Sequence, residues 1–306
     1  MQTPPLFRPP VAIGGLGGSG TRVFAALLQT AGIHIGGCLN QPLDNLWFTV
    51  LFKRAIWGHL SNPSIPDPDD IATSIRLFQR AMTTGLAGRL TPSDRDLIEQ
   101  LRADLPPAGA WACGAQAAHA DSLLASTQQA SDAGRTWGWK EPNTHVFLPQ
   151  LDRHIPGFRY IHVVRDGLDM AFSSKTWQAR HWAHLYGLAQ KPDTLLPLDQ
   201  LRYWEASNRV ALDYGRTHML GRFLAVHYED FCIRPAAHWV RILRFLDLPE
   251  GLPLPKDLVR PSTIGRSAAH DLSGFPETDF AAARALQDTI EIIGAPCRSC
   301  NAKEQL

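Results

Sequence analysis

The chain has 306 residues, with 30 Lys and Arg against 29 Asp and Glu, for a formal net charge of +1. A field this weak excludes a general nucleic-acid or membrane-surface binder while leaving room for a local basic pocket. A hydrophobic share of 44% supports a sizeable core, and no run of about 18 apolar residues marks a membrane span.

Residues 1–10 are Pro-rich and lack the apolar centre of a secretory signal. The five cysteines therefore read as reduced thiols in a cytoplasmic protein, and Cys297 and Cys300 as incidental ones without a full zinc ligand set. Val11 to Leu28 then reads as a short apolar strand, a glycine-rich turn and an amphipathic helix over 21–31, capped at Gly32. Glycines 14, 15, 17, 18 and 20 permit positive φ and close approach of an anion, and Ser19 and Thr21 place hydroxyls at the helix start. A phosphate is the expected occupant. The dinucleotide fingerprint Gly15-x-Gly17-x-x-Gly20 lacks its acidic residue about 20 positions on. Gly15-x4-Gly20 lacks the Lys of an ATP- or GTP-type loop, with Thr21 and Arg22 in its place.

Ile33–Gly36 suits a short extended piece. Pro42 opens an apolar-periodic stretch from Leu43 to Leu60, expected helical, with Asp44 in its first turn. Helices over 70–85, 93–103 and 115–130 complete an expected helical insertion over about 42–130 of a single domain spanning 1–306. A strand at Trp137–Trp139 runs into Lys140, and Pro142 stops it, with Asn143 or Thr144 capping a helix to about 153. Phe158–Val164 is a buried parallel strand in type, ending at Arg165 before a turn into a helix that carries Asp169 and Ser173. A helix over 198–218, a strand at Phe223–His227, and helices over 235–247 and 277–293 follow, with residues 252–275 between the last two loop-like. This is the pattern of an α/β fold, a central parallel sheet flanked by helices.

Ligands of such sheets sit beyond the carboxyl ends of strands. The glycine turn, Lys140 and Arg165 each follow a strand, so one crevice can take all three. The planar fork of Arg165, with the hydroxyl of Ser173, suits a second phosphate. A nucleotide phosphorylated at both ends of its ribose uses both sites.

On these motifs the chain resembles sulfotransferases that use 3′-phosphoadenosine 5′-phosphosulfate (PAPS), a fold akin to the P-loop nucleotide hydrolases. The resemblance runs from about 11 to 248. It implies that Gly17, Gly18, Ser19, Gly20, Thr21 and Arg22 hold the 5′-phosphosulfate, and that Arg165 and Ser173 hold the 3′-phosphate. Lys140-Glu-Pro resembles the Lys-x-Pro element of tyrosyl-protein and carbohydrate sulfotransferases, where the Lys stabilises the transferring sulfuryl group. Tyr228-Glu-Asp resembles the family's Tyr-Glu-Asp segment, with Tyr228 taken as cofactor-binding, and Arg260–Arg266, with Arg266 taken as cofactor-binding, stands in for the absent Arg-Lys-Gly element. Gly18 departs from the family's Lys or Arg before Ser-Gly-Thr, and Arg22 supplies a charge nearby.

The implied reaction moves a sulfuryl group in line from PAPS to a hydroxyl or amine, leaves PAP, and requires no metal. Asp44, Glu141, His34 and His119 are the candidate bases, with Asp44 and Lys140 assigned as catalytic. Trp47, Trp57, Trp111, Trp137 and Trp139 read as core by default, or else as acceptor-pocket walls. A near-neutral chain without an anchor favours a small-molecule or glycan acceptor. Two rivals remain at this point. A nucleotide kinase or hydrolase predicts Mg²⁺ dependence, and an idle nucleotide-binding module predicts binding without turnover.

Overall fold

A computed structural model describes residues 9–54, 57, 66–104, 116–127, 136–189, 191, 195–255, 258–259 and 264–295. Its strands are β1 (Val11–Gly15), β2 (Gly138–Lys140), β3 (Arg159–Val164) and β4 (Phe223–His227). They form one sheet in the order β2-β1-β3-β4, all parallel. Helices α1 (Thr21–Thr30), α2 (Leu46–Phe52), α3 (Pro68–Thr83), α4 (Pro92–Asp104) and α5 (Gln116–Leu124) fall between β1 and β2. A 3₁₀ segment, Pro142–Phe147, and α6 (Leu148–His154) link β2 to β3. Then α7 (Gly167–Ala171), α8 (Trp177–Trp182) and α9 (Pro197–His218) link β3 to β4, and α10 (Tyr228–Ile233), α11 (Pro235–Phe245) and α12 (Glu277–Gly294) follow.

Strand alternation divides the core into two layers. Val11, Ile13, Ile161, Val163, Leu224 and Val226 face a cluster with α1 and α11. Ala12, Tyr160, Val164 and Ala225 face a larger cluster that takes in α2, α3, α6 and α9. Each strand buries both faces, which is why the strands read as continuous apolar runs. Trp139 stacks on Phe158 at 5.3 Å between centroids and on Trp137 at 5.7 Å. These two, with Trp47 and Trp57, are core residues at 7% exposure or less. Trp111, residues 260–263, Cys297 and Cys300 lie outside the described residues.

The α/β expectation with a parallel sheet holds, but three local readings are corrected. The helix expected over Leu43–Leu60 begins only at Leu46, because Leu43 takes φ 66° and Asn45 caps the helix by accepting from the Phe48 N–H, and it ends at Phe52, with Lys53 as its C-cap. Asp44 therefore lies before the helix and not in its first turn. The segment after β2 is capped by Glu141, which accepts from the Asn143 N–H, and not by Asn143 or Thr144. Its first six residues are 3₁₀. Finally, Tyr228–Ile233 is a helix of its own, where only the following one was expected. Among the described residues no helix is long and apolar enough to cross a membrane.

Candidate active site

Because β2 and β3 flank β1 on opposite sides, the strand order reverses between β1 and β3, and ligands of open parallel sheets bind beyond the tips of such strands. The turn after β1 is shaped from within. Ser19 donates both its N–H and its hydroxyl to the Leu16 carbonyl, the hydroxyl at 2.7 Å, and is 1% exposed. Its side chain therefore builds the turn and does not line the cavity. Gly20, at φ 92°, forms the N-cap of α1, and a Cβ there would lie 2.2 Å from the Tyr228 ring. Tyr228 is thus a buried wedge under the turn, with its ring 5.6 Å from the Arg165 guanidinium. Gly17 gives its N–H to the side-chain oxygen of Gln178 at 2.5 Å.

The second part grows from residues 40–45. Asn40 closes the turn with its own side chain, accepting from the Asp44 N–H at 2.7 Å and donating to the Asp44 carboxylate at 2.9 Å. Asn45 then donates its N–H to the Lys140 carbonyl at 2.8 Å, which docks the turn on the tip of β2. Asp44 and Lys140 consequently form an ion pair, and the Lys140 ammonium also reaches the Pro42 carbonyl at 3.2 Å. Burial raises the Asp44 pKa, but the Lys140 charge and hydrogen bonds from Lys140 and Asn40 outweigh it. The carboxyl is held below its ordinary value, so Asp44 is ionised at neutral pH.

The other candidate bases sit elsewhere. Glu141 is fully buried and pairs with Lys53 at 3.0 Å rather than with its neighbour Lys140. His119 meets the Cys38 thiol at 3.5 Å, and His34 joins Trp137 through a backbone bridge. Of these four residues only Asp44 lines the cavity described below.

Arg165 projects from the tip of β3 and is 3% exposed. Its guanidinium meets Asp169 at 3.1 Å, Glu229 at 3.7 Å and the Gly18 carbonyl at 3.4 Å. Ser173 also reaches Gly18, its hydroxyl lying 3.3 Å from where a Cβ would stand. Asp169 in turn accepts from the N–H groups of Gly265 and Ser267, at 2.9 and 2.8 Å. Burial pushes the Asp169 pKa up, but those donors and Arg165 more than reverse it. This carboxylate pins the exposed Arg266 to the tip of β3 through the two residues beside it.

One cavity of 610 Å³ joins the glycine turn to the Asp44–Lys140 pair. Gly17, Gly18, Gly20, Thr21 and Arg22 line it, while Ser19, Arg165, Ser173, Tyr228 and Arg266 stand outside its lining. Sequence reasoning missed the opposite wall, formed by Lys53 and by Lys175, Trp177, Gln178 and Arg180 on and before α8. The only available signal was the basic, aromatic run Lys175–Arg180 directly after Ser173. Arg22, Lys53, Lys140, Lys175 and Arg180 face a single carboxylate, Asp44. That donor set suits a polyanion, with the start of α1 adding backbone N–H groups.

A model of the sulfotransferase family matches residues 9–251. Among solved structures, the sulfotransferase domain of the Synechococcus PCC 7002 olefin synthase is 18% identical, covering 94% of this chain and 98% of that one with a TM-score of 0.48. A sulfotransferase from Mycobacterium tuberculosis H37Rv is 16% identical, with 96% and 78% covered and a TM-score of 0.42. One from Alicyclobacillus acidocaldarius is 15% identical, with 91% and 95% covered and a TM-score of 0.43. No curated protein matches the chain.

Proposed function

We propose a reaction for this cavity on one premise: the chain belongs to the sulfotransferase family, whose model spans most of its length. The donor is PAPS, the product PAP, and the acceptor a hydroxyl or amine of a small molecule or glycan. The cavity carries this reading: five cations and one carboxylate surround a glycine turn at a helix start. When bound, PAPS supplies a sulfuryl group whose bond to the phosphate oxygen breaks as a bond from the acceptor oxygen or nitrogen to sulfur forms.

The chain's own groups have these parts. Backbone N–H groups of the 17–21 turn, with Thr21 and Arg22, hold the 5′-phosphate. Arg165 and Ser173 hold the 3′-phosphate, with Arg266 beside them. Asp44, ionised and set at the cavity wall, accepts the acceptor's proton. Taking that proton neutralises Asp44 and loosens its hold on Lys140. The Lys140 charge then turns to the oxygen that departs with the nucleotide, where stabilisation lowers the barrier. Tyr228 supports the turn from below. The first stretch of the 42–130 region, from Pro42 to Lys53, supplies part of the acceptor wall.

Thermal shift against PAP, ATP and NAD tests the reading. PAP alone raises the melting temperature, and Lys140→Ala retains that shift while transfer falls about 10²–10³-fold. Equal shifts with ATP and PAP, or full transfer without Lys140, refute it.

A further inference from the structure

The cations of the cavity are not equally matched. Lys140 is paired with Asp44, and Lys53 with the buried Glu141 at 3.0 Å. Arg22, Lys175 and Arg180 form no ion pair among the described residues. Two of these three belong to the donor end. Arg22 directly follows Thr21 at the start of α1. Lys175 crosses the glycine turn, its Cβ and Cγ lying 3.9 and 3.6 Å from where Cβ atoms on Gly17 and Gly18 would stand. A phosphosulfate carries one negative charge on its phosphate and one on its sulfate, so Arg22 and Lys175 answer it. Arg180 is left over.

Arg180 is half-buried on α8 and shares a helix face with Thr176 and Trp177, its Nε donating to the Thr176 hydroxyl at 3.1 Å. The Trp177 ring, also in the cavity wall, lies 5.0 Å from the Lys53 ammonium and stacks on His181 at 4.2 Å between centroids. Burial first, then the charges of Arg180 and Lys53, hold the His181 pKa below its ordinary value against an opposing bond with the Trp177 carbonyl. His181 therefore adds no charge to this wall at neutral pH. Lys53 also helps to keep Asp44 ionised. Arg180, Trp177 and Lys53 are thus grouped with the proposed base, on the acceptor's side. A guanidinium there without a carboxylate offers its planar fork to a ligand oxyanion.

We propose that the acceptor is itself an anion: a hydroxyl or amino compound bearing a carboxylate or phosphate, which Arg180 grips while the carbon skeleton lies along Trp177 and the reacting group faces Asp44. Arg180 is then the residue that sets the choice of acceptor. The inference deepens the sulfotransferase reading and rests on PAPS as the donor.

Acceptors for the test come from a protein-free extract of the cells that make the protein, split on an anion exchanger at mildly alkaline pH and assayed with PAPS labelled in its sulfuryl group. Acceptor activity elutes with the retained compounds; activity confined to the unretained fraction overturns the proposal. Phosphatase treatment of the retained fraction separates the two sources of charge. Activity lost points to a phosphate and activity kept to a carboxylate, and either agrees with an anionic acceptor. Arg180→Gln raises the apparent KM for the retained fraction about 10–100-fold. It leaves kcat within about threefold and PAP affinity, by calorimetry, within about twofold. Arg180→Lys keeps the charge without the fork and loses less. An unchanged KM overturns the proposal, and so does a PAP affinity that falls in step with it, since Arg180 then serves the donor. PAP binding by the variant also shows that it is folded. Wild-type protein that fails to bind PAP refutes the donor reading, and PAP binding without transfer to any fraction refutes the transferase reading; the acceptor inference falls with either. PAP binding with transfer to neutral compounds alone refutes only this inference.

Discussion

At the scale of single residues, the site depends on two ion pairs with opposite dispositions. Asp44–Lys140 lies on the cavity wall, with Asp44 the more exposed partner. Asp44→Asn keeps a hydrogen-bonding group of the same shape but accepts no proton, so transfer falls about 10²–10⁴-fold while PAP affinity changes little. In the proposed role Asp44 works only when ionised, and its pKa is lowered, so wild-type activity is expected to persist above its folded pKa and to be lost as pH falls through it. That acidic limb lies below the ordinary carboxylate range and disappears in the variant; wild-type turnover by Asp44→Asn refutes its role. Arg165, by contrast, is closed in by Asp169 and Glu229. Truncating it to Ala leaves two carboxylates without their cation, which costs about 3–5 kcal/mol for a buried pair. Arg165→Lys keeps the charge and loses the planar fork. It weakens PAP by about tenfold or more, yet leaves adenosine 5′-phosphosulfate, which has no 3′-phosphate, within about threefold. Equal losses measured by calorimetry dismiss Arg165 as the 3′-phosphate anchor.

At the scale of elements, Glu141 shows how a three-residue strand holds Lys140, the lysine proposed as catalytic, in place. Its N–H donates to the Ile13 carbonyl at 3.1 Å, its carboxylate caps the Pro142 segment, and it pairs with Lys53. Glu141→Ala removes the cap and leaves Lys53 and Asn143 without their acceptor, a loss of about 3–5 kcal/mol. Urea unfolding measures it, and a change under about 1 kcal/mol makes the contacts incidental. The sequence already exposed much of this architecture. β4 falls at Phe223–His227 as its apolar run indicates, and β3 fills the run ending at Val164. Glycines and prolines marked the tips of β1 and β2 because local backbone chemistry dictates such turns. What stayed hidden depends on contacts between distant segments. The Leu43–Leu60 periodicity concealed the turn at Asn40–Asn45, since Asn40 and the Lys140 carbonyl fix its shape, and Lys140 comes nearly a hundred positions later. The α8 wall was missed for the same reason. Gln178 carries no motif, and only the fold brings its amide to Gly17.

For the whole molecule, the larger core layer encloses polar groups with acid-sensitive consequences. His145 and His162 are 4% and 0% exposed, with ring centroids 6.2 Å apart. Burial drives the His145 pKa down to about 4, against a weaker opposing bond from the Pro142 carbonyl. Burial, with His145 adding to it, takes His162 to about 3. The unfolded chain takes up protons on these rings below about pH 6.5, whereas the folded chain refuses them until those lower values. Stability is therefore full above that pH and falls on acidification, by about 1.4 kcal/mol per pH unit for each ring. Melting curves between pH 7 and 5 show this loss, and His145→Asn reduces it; identical slopes for the two proteins refute the assignment. The strand order has a further consequence, for synthesis. β1 is synthesised before both its sheet neighbours, since Val11 pairs with Gly138 on one side and Arg159 on the other. At about 5–20 residues per second, an apolar ribbon waits roughly 6 to 30 seconds for its partners. Over that interval its backbone donors and acceptors wait without the sheet partners they have in the fold, so β1 is completed only once β2 and β3 have been made.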